Sequence, residues 1–155
     1  MNPVEGSRVM LVGSSGGHLA QLVPLASLWT PDRRTWVTFD TADARSVLAD
    51  EDAVWAHHPT TRHLRNLARN TLLAWRTVRA RRPDVLLSTG AGVALPFFVV
   101  GRLHGIPTVY VEVYDRVDSR TLTGRLCRPF ASLFCVQWEE QQALYPGSVV
   151  VGHLL

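Results

Sequence analysis

VMLVGSSGGHLAQLVPLASLW, residues 9–29, packs a strand, a turn and the start of a helix into one short stretch. An apolar run gives way to five small residues, Gly13 to Gly17, then to His18, then to leucines at helical spacing. Glycine loses more chain entropy on folding than any other residue. Three glycines and two serines together therefore imply a sharp turn or the close approach of something else to the backbone. At a strand-to-helix junction the usual visitor is a phosphate, because the first amides of a helix are free to bind it.

The rest of the chain repeats this alternation. Arg8–Val12 is predicted as a first strand and 16–29 as a helix stopped by Thr30-Pro31. RTWVTF (34–39) is rich in β-branched and aromatic residues and reads as a second strand, followed by a helical stretch near 42–48 and a short strand at 53–56. Residues 61–82 form the clearest helix, ended by Pro83, and DVLLST (84–89) a buried strand that opens onto GAG. A helix over 93–103 carries Pro96 in its first turn, where proline is tolerated. PTVYVEV (107–113) and SLFCVQ (132–137) read as strands, EEQQALY as a helical turn or two, and SVVVG (148–152) as a last strand. Apolar strands alternating with helices predict an α/β fold: a single Rossmann-like domain over residues 1–155 with a mostly parallel sheet.

Composition narrows the chemistry. All 16 basic side chains are arginine, so a P-loop lysine, a Schiff-base lysine and a lysine general base are excluded. The two cysteines, Cys127 and Cys135, lack CxxC spacing, which argues against a zinc site or a disulfide scaffold and fits a reducing compartment. The opening MNPVEGSRVMLVG has no cationic-then-apolar pattern of a secretion signal, and no apolar run approaches the ~20 residues of a membrane span. GVALPFFVVG is about half that length and reads as a buried helix. The net charge of +3 would permit nucleic-acid binding, but no recognition motif or aromatic-interleaved basic stripe accompanies it. The expectation is therefore no nucleic-acid partner, no metal and no cofactor; His57, His58, His63, His104 and His153 lack ligand-like spacing.

Three spellings of the first turn compete. The dinucleotide fingerprint needs G-x-G-x-x-G, and Ser15 stands where its second glycine belongs, although Asp40 ends the next strand at a suitable distance for a ribose. Residues 13–17 also match G-x-S-x-G with Ser15 as nucleophile, but only one strand precedes it and no triad acid stands out. The third spelling is S-x-G-G-H before a helix.

That third spelling, GSSGGHLAQ, resembles the first loop of the acceptor-binding half of MurG-type, two-domain glycosyltransferases. RRPDVLLSTGAGVALPF (81–97), PTVYVEVYDRV (107–117) and FCVQWEEQQALYPGSVVVG (134–152) follow in the order seen in the split form of these enzymes. The chain is similar to PssD-like exopolysaccharide proteins and to the membrane subunit of the eukaryotic dolichol-linked N-acetylglucosamine transferase. It departs from their pattern at Val113, where serine is usual, and in having Asp115 before Arg116, while Glu112 and Arg116 keep their places. The resemblance implies the N-terminal half of a GT-B glycosyltransferase, peripheral on the inner face of the plasma membrane. It would be silent without a partner chain that carries the UDP-sugar site, and residues 148–155 are a candidate docking surface for that partner. The acceptor implied is a polyprenyl-diphosphate-linked glycan, and the setting exopolysaccharide or capsule synthesis.

Carried onto this sequence, the resemblance makes His18 the candidate base for an inverting sugar transfer, since histidine ordinarily titrates near neutral pH. Glu112 would hold an acceptor hydroxyl or orient His18; a buried pair with Arg116 is the alternative. Ser14, Ser15, Gly16 and Gly17, together with Gly90, Ala91, Gly92 and Arg116, would form the acceptor site, unless STGAG is only a tight strand–helix junction. On the helix over 61–82, Arg62, Arg65, Arg69 and Trp75 beside leucines suit an interfacial helix on anionic lipid. The same pattern also fits a solvated arginine face over an ordinary leucine core stripe. Two readings of other classes remain: a non-catalytic scaffold that recruits and activates the catalytic chain, and a small dinucleotide-binding protein.

Overall fold

The computed structural model describes residues 4–154. Strands β1 (Val9–Val12), β2 (Arg34–Phe39), β3 (Asp52–Ala56), β4 (Val85–Ser88), β5 (Thr108–Val111), β6 (Leu133–Val136) and β7 (Val149–Val150) form one sheet. Helices α1 (Gly17–Ala26), α2 (Ala42–Val47), α3 (Leu64–Arg81), α4 (Ala94–Leu103), α5 (Leu122–Cys127) and α6 (Glu139–Leu144) connect them, with short 3-10 turns at Pro31–Arg33 and Arg128–Phe130. Every strand pair is parallel, so the sheet is wholly rather than mostly so. The order is β3-β2-β1-β4-β5-β6-β7, and the direction of winding reverses between β1 and β4. Ligands of open α/β sheets bind at the carboxyl ends of the strands beside such a reversal.

Alternation along each strand divides the core. Val9 and Leu11 point to one face, where they pack with Leu19 and Leu22 of α1 and Ala44 of α2. Met10 and Val12 point to the other, against Ala74 and Val78 of α3 and Val93 and Phe97 beside α4. A third cluster joins Phe98, Tyr110, Phe134 and Tyr145 under α4 and α5. Helix α4 is as buried as its composition predicts, and Gly101 lets it lie on β4, because a Cβ there would overlap Leu86. Helix α3 ends as predicted before Pro83, with Arg82 as a left-handed cap (φ 48°). Several predicted elements are longer than the observed ones: α1 closes at Ala26 rather than residue 29, α3 opens at Leu64, β5 stops at Val111, leaving Glu112 and Val113 beyond the strand, and of the last strand expected over 148–152 only Val149–Val150 forms.

Behind the sheet, Glu51 is held by Arg34 (Nε to Oε2, 2.8 Å) and by the Trp36 indole (2.9 Å). The Arg34 hydrogen bonds outweigh partial burial and hold this carboxyl below the usual carboxylate range. A depressed folded pKa stabilises the fold above the unfolded value, about 4.3, and that stabilisation is lost as pH falls through the folded value. Glu51→Gln is expected to cost about 1–3 kcal/mol at pH 7. In urea titrations the gap from the native chain should narrow steadily as pH falls from about 5 to 3. A gap independent of pH would show that the ion pair contributes nothing.

Candidate active site

The carboxyl ends of β1, β4 and β5 meet around a hollow of ≈ 210 Å³ lined by His18, Ala91, Tyr110, Glu112, Arg116 and Thr121, among others. Three of the four sequence motifs enter it directly, through His18, Ala91 and the 107–117 segment. His18 lies in the first turn of α1, and its Nδ1 lies 2.9 Å from the Thr89 carbonyl oxygen at the end of β4. The Thr89 hydroxyl returns a bond to the His18 carbonyl at 2.8 Å. A carbonyl only accepts, so the proton of this bond sits on Nδ1, and Nε2 of the neutral ring keeps its lone pair. The glycine turn and the STGAG turn are thus tied together by the two His18–Thr89 bonds.

The glycines have different reasons to be glycine. Gly16 stands at φ 76° and Gly90 at φ 120°, where side chains are strained. A Cβ on Gly90 would also approach the His18 ring and the Tyr110 hydroxyl to 3.0 Å. Gly92 is a packing glycine: its Cβ would meet Thr60 at 2.9 Å. Ala91, between them, holds φ 67°, a conformation that costs a non-glycine residue of order 1 kcal/mol or more. Gly17 differs from all of these. It lies within α1, has no positive φ, and a Cβ there would meet nothing within 4 Å. Ser14 and Ser15 are half-buried beside it, and Gly16 and Gly17 are exposed. Neither α1 nor α4 has a side-chain cap at its start, whereas Thr41, His63 and Thr121 cap α2, α3 and α5.

Glu112 is fully buried, and its carboxylate is satisfied by the protein itself. It accepts from the Thr121 hydroxyl (2.8 Å), the Tyr145 hydroxyl (2.5 Å) and the Val113 amide (3.0 Å). The partner is therefore neither Arg116 nor His18: the carboxylate is turned toward Thr121, the cap of α5, and Tyr145. Burial, then the Glu112 bond and charge, pushes the Tyr145 phenol up to about 12. Burial also raises the Tyr110 phenol, with the Glu112 charge adding to it. Both phenols stay protonated donors at neutral pH.

Three glutamines that sequence reading passed over hold the loop after β5. Gln137 Nε2 donates to Gln21 Oε1 (2.6 Å) and to the Glu112 carbonyl (3.0 Å), while Gln141 Nε2 donates to the carbonyls of Val113 (2.7 Å) and Arg116 (3.1 Å). Gln141 Oε1 accepts from the Gln137 amide at 2.8 Å. All three are buried, a polar choice that costs free energy unless satisfied. Their only signal in the sequence is polar residues inside otherwise apolar helix and strand ends. The Leu154 amide also bonds Gln137 Oε1 (3.1 Å), so the segment after β7 touches the same lattice; Leu155 and residues 1–3 lie outside the described residues.

The arginine-rich helix is turned the opposite way from a core-stripe reading. The face of α3 toward the sheet carries Asn66, Asn70, Ala74, Thr77 and Val78. Asn70 clamps His57 with two bonds (2.8 and 2.9 Å), and Asn66 holds the Pro59 carbonyl (2.9 Å). Leu64, Leu67, Leu72 and Trp75 are exposed, at 79%, 38%, 51% and 41%. Arg65 and Arg69 are exposed on the same helix, whereas Arg62, expected within it, lies in the turn before the His63 cap at φ 52°; the Trp75 ring leans on His104. No helix among the described residues is long and apolar enough to cross a membrane.

This fold and loop set define one half of a GT-B glycosyltransferase. The family description "Oligosaccharide biosynthesis protein Alg14 like" matches residues 55–154, and the chain belongs to that family. It is 26% identical over 187 positions to the UDP-N-acetylglucosamine transferase subunit ALG14 of Mus musculus, covering all of this chain and 86% of the mouse protein. It is also 26% identical over 141 positions to the UDP-N-acetylglucosamine--N-acetylmuramyl-(pentapeptide) pyrophosphoryl-undecaprenol N-acetylglucosamine transferase of Moorella thermoacetica, covering 91% of this chain and 33% of that enzyme. The fold superposes on Acinetobacter baumannii MurG with a TM-score of 0.77 at 18% identity, covering 94% of this chain and 45% of that one. The chain thus spans less than half the length of the MurG structure it matches.

Proposed function

We propose that this chain is the acceptor-binding subunit of a two-component, inverting glycosyltransferase. A partner supplies a UDP-sugar, of N-acetylglucosamine type by analogy with the names of its relatives. The acceptor is a polyprenyl-diphosphate-linked glycan on the inner face of the plasma membrane, in exopolysaccharide or capsule synthesis. The observation that carries this reading is His18, anchored through Nδ1 with Nε2 free beside the hollow. Nε2 takes the proton of the acceptor hydroxyl while that oxygen bonds to the anomeric carbon; the bond from that carbon to UDP breaks, and UDP leaves on the partner. The Thr89 carbonyl fixes the ring by accepting from Nδ1, and Tyr110 and Arg116 line the same hollow.

The acceptor's diphosphate belongs at the glycine turn. Gly17 is small for no reason of internal packing, and the free amides of an uncapped helix start suit an anion. The lipid belongs on the outward leucines of α3, ringed by Arg62, Arg65 and Arg69, each basic residue adding about 1 kcal/mol on an anionic surface. The isolated chain is expected to bind vesicles carrying a polyprenyl-diphosphate sugar and to ignore free UDP-N-acetylglucosamine, measured by co-sedimentation and by calorimetry. Tight nucleotide binding without preference for the lipid would return the glycine turn to a dinucleotide site.

A further inference from the structure

Beside the hollow lies a second depression, ≈ 310 Å³, within the range of about 300–1,000 Å³ that holds small ligands. Its walls are Leu64 and Leu67 at the start of α3, Leu95 of α4, and Leu122 and Leu126 of α5, with Thr60, Gly92 and Arg62 toward one end. Four of these five leucines are exposed (Leu64 79%, Leu67 38%, Leu122 60%, Leu126 45%), which is expensive for a surface that covers nothing. Thr123 borders both spaces, and Gly92 of the groove follows Ala91 of the hollow. Gly92 carries no side chain where Thr60 lies over it, since a Cβ there would come within 2.9 Å of Thr60.

We propose that this groove holds the first isoprene units of the lipid acceptor, leading the chain from its diphosphate to the membrane. The inference rests on the acceptor reading above and adds a path to it. A prenyl diphosphate is anionic at one end and apolar from its first carbon onward. The two depressions present that order of chemistry: in the hollow, His18 from the first turn of the uncapped α1 and Arg116 next to Asp115, then in the groove the leucine walls with Arg62. The exposed Leu72, Trp75 and Leu103 lie outside the groove and face whatever the rest of the chain enters. The groove therefore recognises an isoprenoid as a branched apolar ligand and not only as a membrane solvent.

The test uses the full chain and three probes: farnesyl diphosphate below its micelle concentration, inorganic pyrophosphate, and vesicles of anionic phospholipid carrying a polyprenyl-diphosphate sugar. The native chain is expected to bind farnesyl diphosphate at least about tenfold more tightly than pyrophosphate. Leu67→Asp and Leu126→Asp should each remove about that factor for farnesyl diphosphate while leaving pyrophosphate unchanged. Leu72→Asp and Leu103→Asp should weaken vesicle binding and leave farnesyl diphosphate alone. All four positions are exposed, so the variants should fold, checked by circular dichroism. Native binding of the acceptor vesicles with no gain from farnesyl over pyrophosphate would overturn the groove and keep the acceptor reading. Equal farnesyl diphosphate affinity in Leu67→Asp and the native chain would also overturn it. Failure to bind either lipid probe would overturn both.

Discussion

Replacing His18 with alanine is expected to lower turnover of the assembled transferase by about 10²–10⁴-fold, the usual worth of a positioned general base. The loss should fall on kcat, with KM for the acceptor nearly unchanged, because the proposed diphosphate and lipid contacts lie elsewhere. The fold should survive: the Thr89 hydroxyl bonds the backbone carbonyl of residue 18, which alanine retains. Only the Nδ1 contact to Thr89 is lost, on a half-buried ring. Pairing with the donor subunit, measured by size exclusion, should be normal. A complex that turns over as fast without the imidazole would leave this chain a scaffold that recruits and activates its partner.

Glu112→Ala is expected to destabilise the chain by about 2–4 kcal/mol, read from the midpoint of chemical denaturation. Its carboxylate is the acceptor for two hydroxyls and an amide in a site with no access to water. Without it, the Tyr145 and Thr121 hydroxyls lose their acceptor, and Thr121 also caps α5 by accepting from the Gly124 amide at 2.9 Å. Gly124 shows how tightly the site is closed, since a Cβ there would lie 2.5 Å from the Glu112 carboxylate and 2.7 Å from the Tyr145 hydroxyl. Glu112→Gln keeps one acceptor oxygen and should lose less than half as much. Native stability in Glu112→Ala would free the residue from this structural duty and make direct contact with the acceptor its role.

The elements were legible because short, wholly apolar strands between proline- and glycine-punctuated helices have few other solutions. His18 and the STGAG turn were legible for the same reason: both follow strands and open helices, so the sheet must bring them to one edge. Glu112 was placed correctly and given the wrong neighbours. Its contacts come from Thr121 and Tyr145, 9 and 33 residues away, and no local pattern announces a hydroxyl aimed at a carboxylate. The glutamine lattice was hidden for a related reason, since Gln21 and Gln137 are 116 residues apart. The orientation of α3 was ambiguous because leucines and arginines alternate at spacings that serve either face; the buried asparagines decide it, through the loop that they hold.

That arrangement inverts the rules of tolerance along one helix. A survey of substitutions over residues 64–81 should find Leu64, Leu67 and Leu72 replaceable by serine or glutamine without loss of folding, unlike Leu73, which packs against the core. Asn66 and Asn70, the residues a hydrophobicity scale would improve first, should accept almost nothing. On the proposed reading, foldedness is decided at the asparagines and lipid contact at the outward leucines. Expression yield alone would therefore miss the outer half of what the helix encodes.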